Sequence, residues 1–554
     1  MRMGCVSMET VRRILIGGIL LLALDASAMA PADTVSSGSQ IGQSLYRDGI
    51  RASGKPVRAT VQKDVVLKGA DAACVKCHRR SGLGGSEGQN TIRPIAGRLL
   101  FSPPQTTGRR EPAGGAAVRP TYTRATLARA LREGIDPAGR VLDALMPRYD
   151  LSDEDIAQLQ VYLDGLSATT APGVSDREIH FSTIVTPDAS SKKRSALLDV
   201  MQGFFRDKNG GTRKETRRRE VGTEQMYRAF RTWVLHVWEL KGAPETWGAQ
   251  LEAYYRKQPV FAVIGGIGSA SWQPVHAFCE TFELPCVFPD VDYPEVAGTG
   301  YYPLYFSRGV MLEAEVLAKH LLESDPSSKT GTVVQVYRDN ALGRLPARVL
   351  REALQVRGGK TVIDYPLAEA GRLPVDFLSR PAGNARPRTL VLWLDSADLA
   401  ALDFAAPPPD GLAALYVSAS LFAMRRPNLP ESWFSKLNMV YPFDLPTSRE
   451  QRLMRLKAWL RARNIPLGDE RTQANAFFAA TVTGDAMSHL GENFSRDYFI
   501  ERIEQMTQTS LSPSIYPHLS LGPGQRFASK GGYVVRFSAG EGGTPVAISE
   551  WLIP

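Results

Sequence analysis

Hydrophobic and polar residues follow two different patterns along the chain, separated by a linker at 169–177. In the first part, Ile156, Leu159 and Leu163 recur at spacings of three and four residues, as on one face of a helix. An earlier helix is predicted over 40–49. In the second part, short apolar runs alternate with longer amphipathic stretches, which is the pattern of an α/β fold. The sequence therefore predicts a small helical unit followed by a larger α/β part.

Two helices of the first part are expected to cross closely. The second helix is predicted over 153–166, because Ser152 is a good N-cap and acidic residues follow it in the first turn. In the first helix, Gly42 lies one turn before Tyr46. A glycine at that position would let the second helix approach, although two ordinary amphipathic helices would give the same pattern.

The elements of the second part can be placed from its apolar runs and its turns. Strands are predicted at 179–185, 232–239, 260–264, 284–288, 333–337, 389–394 and 415–418, and helices at 195–205, 247–256, 346–357 and 475–490. The glycine-rich turn at 265–270 precedes a further helix that ends at Phe282. This turn has neither the dinucleotide-binding spacing nor the lysine of a P-loop, so it is weak evidence for a phosphate site.

Composition allows a large folded protein and does not indicate nucleic acid binding. The chain has 554 residues, 43% of them hydrophobic, and a formal net charge of +9. A chain of this length predicts roughly three or four structural units. Five of the seven residues at 213–219 are basic, but a solvated face explains them and no nucleic acid partner is expected.

The N-terminus has the features of an export signal. Arg12 and Arg13 precede an apolar run at 14–24, and Ala26-Ser27-Ala28 is a small-x-small cleavage site. We therefore predict a cleaved signal peptide at 1–28, with an uncleaved anchor as the alternative. The apolar run is short for a membrane span, and no later segment is long and apolar enough. The mature chain is expected to be a periplasmic protein without a membrane span.

The strongest chemical motif is Cys74-Val75-Lys76-Cys77-His78. Two cysteines at this spacing with a histidine directly after them are what a c-type haem needs: two thiols for its vinyl groups and one axial ligand. A structural zinc site would need about four nitrogen or sulfur ligands, and 31–170 contains no other cysteine or histidine. A redox dithiol is the remaining alternative. We expect one covalently attached haem.

Met146 is the candidate for the second axial ligand. It is the only methionine within 31–170 and lies just before the predicted helix at 153–166. A thioether opposite a histidine raises the potential of a haem, whereas packing in a core is the ordinary role of a methionine. If both axial positions are filled by side chains, the iron has no open position. Outer-sphere electron transfer is then expected, and not enzyme catalysis.

Residues 40–166 resemble a class I cytochrome c. The resemblance rests on the CxxCH motif, on Met146-Pro147 and on the capped last helix. It implies an all-α domain at 31–168, with Cys74 and Cys77 as thioether cysteines and His78 and Met146 as axial ligands. It also implies that Pro94 offers its carbonyl to His78, although the spacing from Pro94 to Gly97 is one residue shorter than in the family.

Residues 178–554 resemble a type I periplasmic binding protein of the branched-chain amino-acid receptor kind. The resemblance rests on the order of several motifs, VIGGIGSA from Val263, LPCVFP from Leu284 and YFSR from Tyr305, followed by VQVYRDN from Val334. It implies two α/β lobes around a cleft, with the chain crossing between them near 306, 441 and 513.

The resemblance also implies a solute site in the cleft. Ser269 matches the serine that binds a solute carboxylate, and Ser271 and Asp339 are further candidates. The hydroxyl residues that the family has after its fourth strand are replaced here by Asp290 and Asp292. An acidic pair would repel a carboxylate, so a cationic or polyhydroxy solute is implied, unless the two residues are only helix or turn caps.

Cys279 and Cys286 remain once the signal and haem cysteines are set aside. Two cysteines in an oxidising compartment are candidates for a disulfide, although one lies on a predicted helix and the other on the next strand. The combined interpretation is a periplasmic electron carrier. Its second part binds a small molecule or docks a redox partner such as a dehydrogenase or oxidase. The alternative is a solute receptor of an ABC transporter or sensor with an accessory haem, and a haem enzyme is a weaker one.

Overall fold

The residues that the computed structural model describes cover most of the chain after residue 36. They are 37–87, 90–102, 120–219, 231–269, 271–298, 300–324, 332–358, 361–369, 387–400, 404, 407–422, 424–427, 429–507, 513–538 and 543–554. The predicted signal peptide at 1–28 lies outside these residues. Among the described residues, no helix has both the length and the hydrophobicity that crossing a membrane requires.

In its described residues, the N-terminal unit combines five α-helices and a 3-10 turn at Gly69–Ala72 with short strands. Its elements are α1 (Ser37–Asp48), β1 (Arg58–Val61), β2 (Val65–Lys68), α2 (Val75–His78), β3 (Gly85–Glu87), β4 (Asn90–Ile92), α3 (Gly97–Leu100), α4 (Arg124–Arg132), β5 (Arg148–Tyr149) and α5 (Asp153–Gly165). The strands form an antiparallel sheet in the order β2-β1-β5 and a separate β3-β4 hairpin.

The expectation of an all-α unit is therefore wrong. Val61 and Val65 flank a tight turn in which Gln62 and Lys63 both have positive φ. Turns with two such residues match the twist of paired strands, and β-branched residues favour strands. The first sheet forms for these local reasons, and the helices pack beside it.

The predicted crossing of α1 and α5 is present. A Cβ atom at Gly42 would lie 2.2 Å from the carbonyl oxygen of Gln158 and 2.6 Å from Cβ of Tyr162. The rings of Tyr46 and Tyr162 are 5.3 Å apart. Ser152 caps α5 as expected, because its hydroxyl accepts a hydrogen bond from the backbone N–H of Asp155.

The first lobe of the second part is built on a parallel sheet. Its elements in chain order are β6 (Glu178–Val185), α6 (Ser191–Arg219), β7 (Thr232–Glu239), α7 (Trp247–Lys257), β8 (Ala262–Ile264), β9 (Ile267–Gly268), α8 (Gln273–Thr281), β10 (Cys286–Val287), β11 (Asp290–Val291) and β12 (Pro303–Leu304). The strand order is β11-β9-β6-β8-β10-β12, with β7 also paired to β6. A disulfide joins Cys279 on α8 to Cys286 on β10.

The second lobe contains the other seven-stranded sheet. The remaining elements are α9 (Val310–Glu323), β13 (Val333–Arg338), α10 (Ala341–Gly358), β14 (Val362–Leu367), β15 (Thr389–Trp393), α11 (Ser396–Ala400), β16 (Ala414–Ser418), α12 (Glu431–Phe434), β17 (Leu437–Tyr441), α13 (Pro446–Arg461), α14 (Glu470–Leu490), α15 (Arg496–Thr507), β18 (Tyr533–Phe537) and β19 (Pro545–Ala547). The order β14-β13-β15-β16-β17 is parallel, and β18 and β19 continue the sheet antiparallel. The two-lobed α/β architecture is thus confirmed.

Helices α14 and α15 return to the first lobe. The ring of Phe499 on α15 packs 5.3 Å from that of Phe261, and Arg496 donates a hydrogen bond to the Phe261 carbonyl. The chain therefore passes between the sheets after β12, after β17 and after α15. These crossing segments lie side by side, since the backbone N–H of Ser529 donates to the carbonyl of Phe306 at 2.6 Å, and that of Asp444 to Ile515 at 2.7 Å.

Replacement of Gly42 by alanine tests the close helix crossing. The added methyl group would overlap the backbone of α5, so we expect the N-terminal unit to lose about 1–3 kcal/mol of stability. Gly165→Ala on α5 is the matched control, because a Cβ there meets nothing within 4 Å. Thermal unfolding followed by circular dichroism should show a lower midpoint for Gly42→Ala alone. Equal midpoints would contradict the crossing.

Candidate functional site

The N-terminal unit surrounds a cavity of about 480 Å³. Cys74, Cys77, His78 and Met146 all line it, although Met146 lies far from the others in sequence. Most of the other lining side chains are apolar, and they include Leu100, Leu127, Leu131, Leu159 and Leu163. The fold thus brings all four predicted ligand residues to one apolar cavity.

Both cysteines belong to a single turn. Cys74 is the N-cap of the short helix α2, and the backbone N–H of His78 donates to the Cys74 carbonyl at 2.9 Å. Cys74 is buried and Cys77 is exposed. Burial raises the pKa of the Cys74 thiol to about 11. Within the described residues, no three His, Cys, Asp or Glu side chains are grouped so as to hold a metal ion.

The His78 ring is oriented by a backbone carbonyl. Its Nδ1 atom lies 3.0 Å from the carbonyl oxygen of Arg93. Because a carbonyl can only accept, Nδ1 carries the proton and Nε2 keeps the lone pair that can bind a metal. Burial lowers the pKa of His78, although the same hydrogen bond opposes that shift. The ring is therefore neutral at neutral pH.

The carbonyl that accepts the hydrogen bond from His78 lies one residue before the position predicted from the sequence. Pro94 lines the cavity but does not bind His78, and Arg93 offers the carbonyl instead. The spacing from Pro94 to Gly97, one residue shorter than the resemblance implies, accompanies this shift of the contact to Arg93.

Arg148 holds the loop that carries Met146. Its guanidinium donates hydrogen bonds to the Met146 carbonyl and, at 3.3 Å, to the Leu142 carbonyl. A Cβ atom at Gly134, which has φ of 74°, would lie 2.1 Å from this guanidinium. Glycine is needed there both for the backbone and for the space. Neither residue could be recognised from spacing alone.

The carboxylates of Asp290 and Asp292 share one guanidinium inside the protein. Arg471 on α14 lies 2.7 Å from a carboxylate oxygen of Asp290 and 2.7 Å from one of Asp292. All three side chains are buried. Although burial alone would raise it, Arg471 holds the pKa of Asp290 below its ordinary value. Asp290 also accepts hydrogen bonds from Thr472 at 2.6 Å and Asn475 at 3.1 Å.

Asp290 and Asp292 thus have an internal cationic partner, which argues against the cationic alternative for their solute and leaves the polyhydroxy and capping alternatives as predictions. An internal guanidinium occupies the position that a cation would take, and it compensates for the burial of two carboxylates. Arg471 was missed by sequence reasoning. One feature of the sequence could have indicated a buried arginine. Arg471 stands at the start of a helix in which most of the following residues are apolar or small.

The other predicted solute ligands also have partners within the chain. The backbone N–H of Ser269 donates to the carboxylate of Asp188. The hydroxyl of Ser271 accepts from the backbone N–H of Gln273 at 3.4 Å. Asp339 is exposed and forms an ion pair with Arg344 at 2.7 Å. At Ser269 an internal carboxylate thus occupies the backbone N–H that was predicted to lie beside a solute carboxylate.

Aromatic side chains from the crossing segments fill the space beside Arg471. The ring of Tyr516 packs 5.3 Å from Phe306 and 5.3 Å from Phe443, and the Arg471 guanidinium lies 5.5 Å from the centre of the Phe443 ring. Tyr516 and Phe306 are buried. Apolar packing and one internal ion cluster therefore occupy this part of the boundary between the lobes.

Comparisons with known proteins give similar solved structures and nothing else. No family model and no curated protein matches the chain. A fatty acid ABC transporter substrate-binding protein from Thermomonospora curvata is 14% identical, with 70% of this chain and 95% of that chain covered and a TM-score of 0.47. A branched-chain amino acid ABC transporter from Thermus thermophilus with bound valine is 11% identical, with coverage of 69% and 98% and a TM-score of 0.47. A substrate-binding protein from Aeropyrum pernix is 14% identical, with coverage of 68% and 96% and a TM-score of 0.48. At these values the likeness carries no conclusion about function.

Replacement of Arg471 by methionine tests the internal ion cluster. Asp290 and Asp292 would then be buried without a cationic partner, and we expect a loss of about 3–5 kcal/mol in unfolding free energy. The control is Arg344→Met, which breaks an ion pair at the surface and should change stability little. Urea denaturation of both variants measures the difference. Similar midpoints for the two would show that Arg471 has no structural role.

Proposed function

We propose that the N-terminal unit binds one haem c and that the protein is a periplasmic electron carrier. The main observation in support of this proposal is that Cys74, Cys77, His78 and Met146 line one cavity. In this proposal the two cysteines form the thioether bonds, and His78 and Met146 are the axial ligands. The electron is exchanged with a redox partner such as a dehydrogenase or oxidase.

The surrounding residues fit such a group. The cavity walls are mainly apolar, as a porphyrin requires, and the two thiols lie within one helical turn. The proton of His78 is fixed on Nδ1 by the Arg93 carbonyl, which leaves Nε2 for a metal. A haem ligated by histidine and methionine supplies reversible one-electron transfer and offers no iron position to a substrate.

The chain's own residues set the conditions for this chemistry. The hydrogen bond to Arg93 increases the basicity of the His78 ring, and the apolar cavity limits the access of water. Arg148 anchors the loop of Met146 by its backbone, so that the thioether is presented from a fixed segment. These contacts favour small structural change between oxidation states, which suits electron transfer.

The ligand role of Met146 can be tested by its loss. In Met146→Ala, the ferric protein should lack the absorption band at about 695 nm that marks methionine ligation, and its reduction potential should fall. Met454→Ala is the control, because Met454 is exposed on α13, far along the chain from the cavity. Optical spectra of the full chain provide the measurement. A band that survives in Met146→Ala would rule out this ligand.

A second function is favoured by the two lobes and their three crossing segments. This architecture suits a solute-binding receptor of an ABC transporter or sensor, with the haem as an accessory reporter. The contacts of Asp188, Arg471 and Arg344 count against it, because they engage the residues expected to bind the solute. We therefore place it second.

Thermal unfolding with added amino acids distinguishes the two functions. A ligand present at 100 times its Kd would stabilise the native protein by about 2.7 kcal/mol. We expect leucine, valine and arginine to leave the midpoint unchanged, because internal partners fill the predicted positions. A concentration-dependent rise with any of them, together with a shift in reduction potential, would favour the receptor function.

A further inference from the structure

The backbone directly after His78 is strained. Arg79 has φ of 66° and ψ of 173°, a combination that is essentially confined to glycine and costs on the order of 1–3 kcal/mol for other residues. Such a conformation persists only where neighbouring contacts hold it. We call residues 79–81 the ligand turn. The backbone N–H of Gly84 donates to the His78 carbonyl at 3.2 Å, so the turn is closed onto the histidine.

The ligand turn is held by a helix of the other part of the chain. Ser81 donates two hydrogen bonds to Glu501 on α15, from its backbone N–H at 2.8 Å and from its hydroxyl at 2.5 Å. The sequence separation is 420 residues. Both side chains are buried, and a buried two-point contact of this kind is expensive to lose.

Two further contacts come from the same face of α15. Arg80 lies 3.5 Å from Asp497, and Arg79 lies 3.7 Å from Glu504. Positions 497, 501 and 504 are spaced by four and three residues, which places their side chains on one side of the helix. All three residues of the ligand turn therefore meet one acidic helix face.

The N-terminal unit contributes two side-chain hydrogen bonds to this hold. The hydroxyl of Ser167 donates to the Ser81 carbonyl at 2.8 Å. The hydroxyl of Tyr46 donates to the Arg79 carbonyl at 2.7 Å. The guanidinium of Arg80 also lies over the ring of Tyr301, 4.3 Å from its centre. Most polar partners of the turn thus belong to the first lobe and not to the unit that contains the cavity.

We propose that Glu501 is a positioning residue for His78, so that the first lobe completes the haem site. The inference rests on the proposed haem. By fixing Ser81, Glu501 keeps the strained Arg79 backbone in place and with it the orientation of the histidine. If the turn relaxed, the hydrogen bond from Nδ1 to Arg93 would weaken. A less basic imidazole stabilises the ferric state less, so the reduction potential would rise.

The charge of Glu501 is not required for this role. Burial raises its pKa to about 8, which lowers the cost of placing a neutral group at this position. A glutamine has the same shape and can accept the bond from the Ser81 backbone. Glu501→Gln should therefore behave like the wild type, and Glu501→Ala should not.

The first arm of the test compares Glu501→Ala with Glu501→Gln and with two control variants, all in the full-length, haem-loaded protein. In Glu501→Ala we expect amide hydrogen exchange of residues 79–84 to become at least about tenfold faster and the reduction potential to rise. Gln505→Ala, at an exposed position of the same helix, should change neither. Arg471→Met lowers stability away from the turn and should leave the potential unchanged, which separates positioning from a general loss of stability.

The second arm of the test removes the backbone strain at residue 79. Arg79→Gly adopts the same backbone without cost, so adding Glu501→Ala to it should shift the potential less than Glu501→Ala does alone. An undiminished shift, or a normal potential in Glu501→Ala despite fast exchange, would overturn the positioning role. If Glu501→Ala does not fold, Ser81→Ala removes only the hydroxyl contact and should give a smaller shift in the same direction. A colourless wild-type protein would instead refute the proposed function.

Discussion

The contact between Ser81 and Glu501 joins the two parts of this protein close to the predicted haem ligand His78. It lies three residues after the predicted axial histidine and buries a carboxyl group against a strained turn. A small unit with a large internal cavity has little core of its own. Here a second, larger fold supplies part of the support for the residues that line the cavity. The two parts are thus in direct contact immediately after the cavity-lining His78.

Near the boundary between the lobes, polar groups that could recognise a solute are paired with other groups of the same chain. The carboxylates of Asp290 and Asp292 surround Arg471, and Asp188 binds the N–H of Ser269. These are the kinds of group that recognise charged ends of small molecules, but each has its partner within the chain. A buried ion cluster of this kind favours one arrangement of the surrounding segments, and its net contribution to stability is small. These contacts join β11 to α14 and connect the segments that follow β6 and β9.

The sequence predicted what depends on local pattern. The CxxCH motif, the glycine at the helix crossing and the capped last helix are all short-range signals, and so are the strands of both lobes. The contacts of Arg471, Arg148 and Glu501 could not be predicted, because each joins segments far apart in the chain and depends on the final packing. The β-hairpin after residue 58 was missed because two non-glycine residues adopt positive φ in its turn.

The most direct test is a pyridine haemochrome assay after acid–acetone extraction of the full chain, produced in a host that matures c-type cytochromes. The account predicts that one haem per chain stays with the precipitated protein and has the spectrum of haem c. Both cysteines would then be bonded to it, as their place on a single turn of the cavity wall requires. A protein that is colourless, or that gives up its haem to the solvent, would contradict the account.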